Sequence, residues 1–299
     1  MVIVKLMGGL GNQMFQYAFG RHLASKTRSP LKLDLTYLLD RRPRPYLTFR
    51  DYDLSIFNVQ ENFATDADLV SFSLGGDVLS QLAKIMKLHH QKKYYIKEQL
   101  IKFYKDYCNF SGDIYIDGFW QSEEYFKDVE SVIRSDFVFK APLGNKARDL
   151  AQEIRATNAV SLNVRRGDYL ASRAHRGFYY ICDEDYYLRA MDKIAGMVKS
   201  PKFFIFSSEI KWCQDHLMSR YPVQLVSPEY AGEKFQDYLK LMALCKHYII
   251  PNSTFAWWGA WLNPSRDKIV ISPRQWIRQP WYWRRVYNDS ITPANWSKL

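Results

Sequence analysis

"VIVKLMGGLGNQMFQYAFGRHLASKTRSPLKLDL", residues 2–35, decides the fold class. Residues 2–6 are an apolar run of strand length, and "GGLGNQ" (8–13) is a tight loop. From Asn12 to about Ser25, Phe15, Ala18, Phe19 and Leu23 recur on one helical face, and "LKLDL" (31–35) reads as a second strand. Strand, glycine-rich turn, helix, strand is the opening unit of a parallel α/β sheet. The turn is not a dinucleotide fingerprint. Counted from Gly9 and Gly11, the third glycine position of G-x-G-x-x-G holds Met14, and the chain has no GK[ST] of a P-loop. What remains is a turn whose backbone can approach a ligand closely, with Asn12 and Gln13 at the helix start. A plain turn role for the glycines is the competing reading.

Outward from this unit comes an irregular basic stretch, "RRPRPYLTFRDYDL" (41–54), then helical patterns over 66–90, a strand at 113–118 and a helix at about 123–134. From 144 the rhythm is cleaner. Strands at 159–165, 202–206, 222–226, 246–250 and 268–271 alternate with helices at about 184–198, 209–219, 233–245 and 254–262. Such alternation predicts a second parallel sheet. The break at "FVFKAPLGNK" (137–146) is the candidate linker. It divides the chain into domains 1–143 and 144–299, each near the ~150 residues that support an independent core.

Composition narrows the function. Of 299 residues, 47% are hydrophobic and 24% charged, as in a globular protein. The 21 Tyr, 18 Phe and 9 Trp suit polyhydroxylated ligands as well as cores. A formal net charge of +11 favours nucleotides, nucleic acid or an anionic membrane surface. Basic residues are dispersed and no recognition motif occurs, which argues against nucleic acid. Cys108, Cys182, Cys213 and Cys245 show neither disulfide nor zinc spacing and read as free thiols of a reducing compartment. No signal peptide is visible, and no apolar run approaches the ~20 residues of a membrane span. The expected location is the cytoplasm.

In parallel sheets ligands bind at the carboxyl ends of the strands. That rule gathers Arg165 and Arg166 after strand 159–165, Ser207 to Glu209 after 202–206, and Asn252, Ser253, Thr254 and Phe255 after 246–250. "PNSTF" (251–255) sets hydroxyls and backbone N–H groups at a helix N-terminus, an anion site by geometry and dipole. Simple capping by Ser253 or Thr254 is the alternative. Asp237, in the first turns of a helix, either complements the dipole or accepts two hydrogen bonds from the N1–H and N2–H₂ edge of guanine. Three D-x-D triplets (Asp51–Asp53, Asp66–Asp68, Asp183–Asp185) occur. Two lie at predicted helix starts, where acidic residues are favourable anyway, and no metal is expected at any of them.

The segments "GGLGNQMFQYAFGR" (8–21), "GFWQSEEYF" (118–126), "VRRGDY" (164–169) and "FQDYLKLMALCKHYIIPNSTFAWWGAWL" (235–262) resemble the α-1,2-fucosyltransferases of glycosyltransferase family 11, in order and over nearly the whole chain. The resemblance implies a GT-B fold, two Rossmann-like α/β domains facing a central cleft. It implies inverting transfer of fucose from GDP-L-fucose to O2 of a terminal β-galactoside, without a metal. The acceptor side would be domain 1–143 and the donor side domain 144–299. By the same resemblance Arg165 contacts the donor β-phosphate, Asp237 the guanine, Ser253, Thr254 and Phe255 the phosphates, and Asn12 faces the donor. Gly9, Gly11, Asn163, Arg166 and Asp168 support the site, Asp168 by orienting the arginines. Asn163 stands where the family motif H-x-R-R-x-D has histidine.

His175, in the loop "LASRAHRGF" (170–178), is the nearest titratable candidate for a general base, with an unperturbed pKa near 6.5. The competing account is a cation-like transition state whose proton goes to water or a phosphate oxygen. A fucosyltransferase of another linkage (α-1,6 or peptide O-fucosyl) and a non-enzymatic nucleotide- or nucleic-acid-binding protein are the other readings. The cationic, aromatic stretches at Arg41–Arg50 and "WIRQPWYWRRVY" (276–287) suit the inner face of a membrane near a lipid-linked glycan, or simply loop and domain packing.

Overall fold

The computed structural model describes residues 1–43, 49–72, 93–99, 102–167, 177, 179–218, 221–278 and 289–299. The chain forms two compact units, Met1–Lys140 and Ala141–Leu299.

The first unit runs β1 (Val2–Lys5), α1 (Leu10–Thr27), β2 (Leu31–Asp34), α2 (Thr36–Leu39), α3 (Asp66–Ser71), β3 (Lys93–Lys97), β4 (Asp113–Asp117) and α4 (Glu130–Asp136). Its strands pair in parallel in the order β2-β1-β4-β3. Val2 lies opposite Leu31 on one side and Ile114 on the other. Val2, Ile3 and Val4 are wholly buried, as a central parallel strand covered on both faces requires. Helix α1 is buried nearly all round, not on one stripe, because Phe19 also packs against Trp120 and Tyr125 with ring centroids 4.7 Å away. Gly20 lets α1 lie close on the sheet: a Cβ there would come within 3.0 Å of Leu31 Cδ1. The helix expected at 123–134 begins instead as two 3-10 turns, Glu123–Tyr125 and Lys127–Val129, and only then becomes α4.

The second unit runs α5 (Asn145–Ala156), β5 (Asn158–Asn163), α6 (Glu184–Ala195), β6 (Pro201–Phe206), α7 (Ile210–Leu217), β7 (Val223–Val226), α8 (Gln236–Leu244), β8 (His247–Ile249), α9 (Thr254–Leu262), β9 (Val270–Ser272) and β10 (Ser297–Lys298). All strands are parallel, in the order β10-β9-β8-β5-β6-β7. Val160, Leu162, Phe203, Ile205, Ile249 and Ile271 form one face of the core against Tyr187, Met191 and Ile194 of α6. Trp257 and Trp258 of α9 are wholly buried, and the Trp257 indole donates to Ile291 O at 2.8 Å.

The strand orders matter for function. In the second unit the chain steps outward from β5 to β6 and β7, then returns to place β8 on the other side of β5. In the first, β2 and β4 flank β1. Each reversal opens a crevice at the carboxyl ends of two strands, where ligands of such sheets bind.

Candidate active site

In the second unit the crevice lies at the ends of β5 and β8, paired as far as Leu162 and Ile249. Strand β5 ends two residues earlier than expected, at Asn163, whose buried amide reaches Phe206 O at 3.5 Å. Val164 N still donates to Phe206 O at 2.9 Å, and then the arginines leave the sheet. They go separate ways. The Arg166 guanidinium lies 4.1 Å over the Trp212 ring of α7, with Nε 3.9 Å from Glu209 Oε2. That ion pair is too long for a hydrogen bond, so the cation is held by charge and the aromatic face. Gly167 makes room for the carboxylate, since a Cβ there would meet Glu209 Oε1 at 2.8 Å. Arg165 is half-buried, and its charge bears on Tyr179, a phenol whose pKa burial raises and Arg165 draws back down.

Across the crevice, the 251–255 turn opens α9. Ser253 is the N-cap, with Oγ 3.4 Å from Ala256 N. Asn252 donates from Nδ2 to Trp276 O at 2.9 Å, and the same carbonyl accepts Tyr180 N at 3.1 Å. Tyr179 forms an antiparallel bridge with Ile277, so the Trp276–Ile277 segment ties the turn to the strip beside Arg165. The Tyr186 hydroxyl, donating to Ile250 O at 2.6 Å, pins the exit of β8. Asn252 and Ser253 are buried and shape the turn, which leaves the half-buried Thr254 and Phe255 nearest its surface. The first N–H groups of α9 and the Arg165 cation thus stand at adjacent strand ends, and both carry the sign of charge that suits an anion.

Asp237 is buried at the start of α8 and already engaged. Its Oδ2 accepts Gly144 N at 3.0 Å, and its Oδ1 lies 3.4 Å from Lys240 Nζ. Lys240 in turn donates to Ala141 O and Pro142 O, at 2.6 and 3.0 Å. The carboxylate therefore anchors the N-terminus of α5. A carboxylate has about four acceptor positions, so this use leaves capacity for further donors. Two residues earlier, Phe235 has φ of +59° and is 53% exposed, with its ring centroid 6.5 Å from that of Phe255. Sequence reasoning passed over it, because nothing in "EKFQDY" marks a left-handed phenylalanine.

In the first unit the crevice lies between β1 and β4. Gly8, at φ +72°, is the glycine the turn requires: a Cβ there would meet Asn12 Nδ2 at 2.5 Å. Gly9 is extended (φ −80°) with its nearest neighbour 3.8 Å from such a Cβ, and Gly11 is buried in the first turn of α1. Asn12 Oδ1 accepts Gln121 Nε2 at 2.8 Å, bridging the exits of β1 and β4. Gln13 donates to Gly8 O and Asp51 O and accepts Asp53 N, while Gln16 accepts Met7 N and donates to Gly118 O. These amides stitch the loops of this edge together. At the end of β3, Glu98 Oε2 accepts Phe119 N at 2.7 Å and Trp120 N at 3.3 Å, while Oε1 is sealed with no partner. Burial pushes this carboxyl up to about 7 against the two N–H donors. Glu98 also escaped the sequence reading, since "YYIKEQL" carries no catalytic pattern.

His175 and Asp168 lie outside the described residues, as do 44–48 and 279–288 of the cationic aromatic stretches. Among the D-x-D triplets, Asp68 closes a capping box with Thr65 and pairs with Lys32 at 2.7 Å. Asp183 caps α6 by accepting Tyr186 N at 3.0 Å, Asp185 pairs with Arg189 at 3.2 Å, and Asp51 pairs with Arg41. The four cysteines are buried and free, and burial lifts the Cys108 and Cys213 thiols to about 11. No described helix is long and apolar enough to cross a membrane.

The chain has relatives among known proteins. The chain is 31% identical to the alpha-1,2-colitosyltransferase of Escherichia coli over 300 residues, covering 100% of this chain and 98% of the relative. It is 31% identical to the O-antigen biosynthesis glycosyltransferase WbnK of Escherichia coli, over 91% of this chain and 93% of that one. A galactoside alpha-(1,2)-fucosyltransferase 1 of Bos taurus is 29% identical over 48% of this chain and 42% of its own length. Among solved structures, Arabidopsis thaliana FUT1 with GDP superposes with a TM-score of 0.51 at 11% identity, over 90% of this chain and 69% of that one. The fucosyltransferase NodZ from Bradyrhizobium superposes with a TM-score of 0.50 at 15% identity, over 88% and 92%. Those two likenesses concern the fold, which is of the GT-B type with a parallel sheet in each unit. The family model for glycosyl transferase family 11 matches residues 1–299, and the chain belongs to that family.

Proposed function

We propose that the protein transfers L-fucose from GDP-β-L-fucose to O2 of a terminal β-galactoside with inversion, giving an α-1,2 linkage. The observation that carries this reading is the family match over residues 1–299, in a chain that sets Arg165 and the α9 N-terminus at one crevice. The acceptor O2 forms a bond to the anomeric carbon as the bond from that carbon to the β-phosphate oxygen breaks, and GDP departs with the electron pair. Negative charge grows on the departing phosphate. Arg165 and the first N–H groups of α9 stabilise it in place of a metal ion, and preorganised groups of this kind supply several kcal/mol of the barrier reduction.

Asp237 reads the guanine edge. Asn252 and Ser253 hold the phosphate turn in shape, Thr254 and Phe255 line it, and Arg166 sets the backbone that presents Arg165. Asn12 faces the donor, with Gly9 and Gly11 in the same turn. The proton of the acceptor hydroxyl passes to His175, or to water or a phosphate oxygen, and Asp168 orients the arginines.

The full-length likeness to a colitosyltransferase favours a second donor, the 3-deoxy analogue of GDP-fucose. A site that hydrogen-bonds the 3-hydroxyl rejects the analogue lacking it by about 10⁴-fold or more, so the two donors are separable. The test is transfer from GDP-L-fucose and GDP-L-colitose to a panel of β-galactosides, with the product linkage read by NMR. An α-1,2-fucoside is the expected product. A linkage to another oxygen, or transfer from the colitose donor alone, overturns the reading.

A further inference from the structure

We propose that Phe235 is the stacking platform for the guanine base of the GDP-sugar donor, an assignment that rests on the GDP-donor reading above. Phe235 carries two burdens that packing does not explain. Its backbone is left-handed, at φ +59° and ψ 17°, a region that a bulky side chain rarely enters. Its ring is 53% exposed, although the helix it immediately precedes buries all six residues of Asp237–Met242.

The surrounding loop forces this conformation. Ala231 O accepts both Asp237 N, at 2.9 Å, and Tyr238 N, at 3.3 Å. The Gln236 side chain accepts Lys234 N at 2.8 Å, and Phe235 O accepts Leu239 N at 3.2 Å. Gly232, itself at φ +73°, admits the Gln236 amide, which a Cβ would meet at 2.8 Å. A loop this closely determined, holding an outlier in place, points to use of the outlier.

The ring's neighbours say what the use is. Phe255 and Tyr238 meet it at 80° and 66°, so neither lies flat on it. Tyr238 is itself fixed by its hydroxyl on Val226 O at 2.7 Å, and Phe255 belongs to the first turn of α9. The ring, with 53% of the residue exposed, therefore sits beside the helix N-terminus that would hold the donor phosphates. A nucleoside diphosphate anchored there has its flat base within reach of a flat apolar surface. Stacking accepts any base, so this platform supplies affinity, and discrimination for guanine is left to Asp237.

The experiment is calorimetric titration of the wild-type protein and the variants F235N, F235L and F235W with GDP and with ADP, alongside thermal melts. Asparagine tolerates the left-handed region, so F235N is expected to melt no lower than wild type. It should still bind GDP about 10-fold or more weakly, the usual loss when a base-stacking ring is removed. F235L keeps apolar bulk without a π-face and should weaken binding likewise, whereas F235W should hold wild-type affinity. F235N and F235L both binding GDP as wild type does would overturn the platform and leave the GDP-donor reading standing. Wild-type protein that does not bind GDP overturns both. Should F235N fail to fold, F235L against F235W decides the matter.

Discussion

Replacing Arg165 by alanine removes a half-buried cation at the carboxyl end of β5 without emptying any part of the core. Its expected effect is a fall in turnover of about 10²-fold or more, the scale for one preorganised charge-stabilising donor, with an unchanged melting temperature. Turnover within tenfold of wild type would remove Arg165 from the chemistry. Arg166→Ala is the contrasting case: it strips the Trp212 face and the Glu209 carboxylate of their cation, so stability and turnover should fall together. The doublet was legible in the sequence as two cations leaving the end of a strand. Which arginine turns inward was not, because that depends on a tryptophan brought in by another element. Glu98 offers a test with a definite sign. Burial pushes its carboxyl up to about 7, above the ordinary 4.5, so between those values the native state holds a proton that the unfolded chain has lost. Stability from this group is therefore full below pH 4.5 and is lost as pH rises towards 7. Glu98→Gln should flatten that decline in melting temperature between pH 5 and pH 8, within the window around the native value. An unaltered slope would show that the carboxyl titrates normally.

At the scale of elements, the turn between β1 and α1 is the clearest case of backbone chemistry serving a site. Gly8→Ala places a Cβ in a left-handed position and 2.5 Å from the Asn12 amide, so it strains the backbone and breaks the Asn12–Gln121 bridge together. The expected loss is about 1–2 kcal/mol, read as a lowered urea midpoint at constant slope. Gly9→Ala, extended and with open space beside it, should shift the midpoint by less than Gly8→Ala, its cost being that of replacing an N-cap glycine by alanine. Equal shifts would mean that the two glycines are interchangeable. The sequence pattern placed α9 at its observed limits because the Ser253 cap and the tryptophan-rich run mark both ends. It missed β3, "KYYIK", where charges at both ends and a largely exposed edge position hide the alternation of a strand. It also merged the 3-10 turns at 123–129 with α4, since acidic residues and a helical spacing of aromatics read alike in both geometries.

Over the whole molecule, the alternation of apolar runs and amphipathic stretches was enough to predict parallel sheets, but not their strand order. Strands buried on both faces are nearly uniform in composition, so nothing local tells β8 to pair with β5 and not with β7. The switch points became visible only with that order, although the strand-end residues could be gathered without it. The same scale decides how a pyrophosphate would be neutralised. The chain carries a formal charge of +11, with 42 Lys and Arg against 31 Asp and Glu, so cations are in surplus and carboxylates are largely spoken for. Asp68 and Asp183 spend their oxygens on helix N-termini, while Asp51 and Asp185 pair with arginines. A divalent ion at any of these triplets would first have to displace a cap or an ion pair. Arg165 with the α9 N-terminus already supplies positive potential at the crevice of β5 and β8, and a guanidinium can hold phosphate oxygens in a fixed fork. Sugar transfer from the GDP-linked donor should therefore proceed at an unchanged rate after dialysis against EDTA and with EDTA in the assay. Loss of activity that Mn²⁺ or Mg²⁺ restores would mean that a metal shares the leaving-group charge, and that Arg165 alone does not carry it.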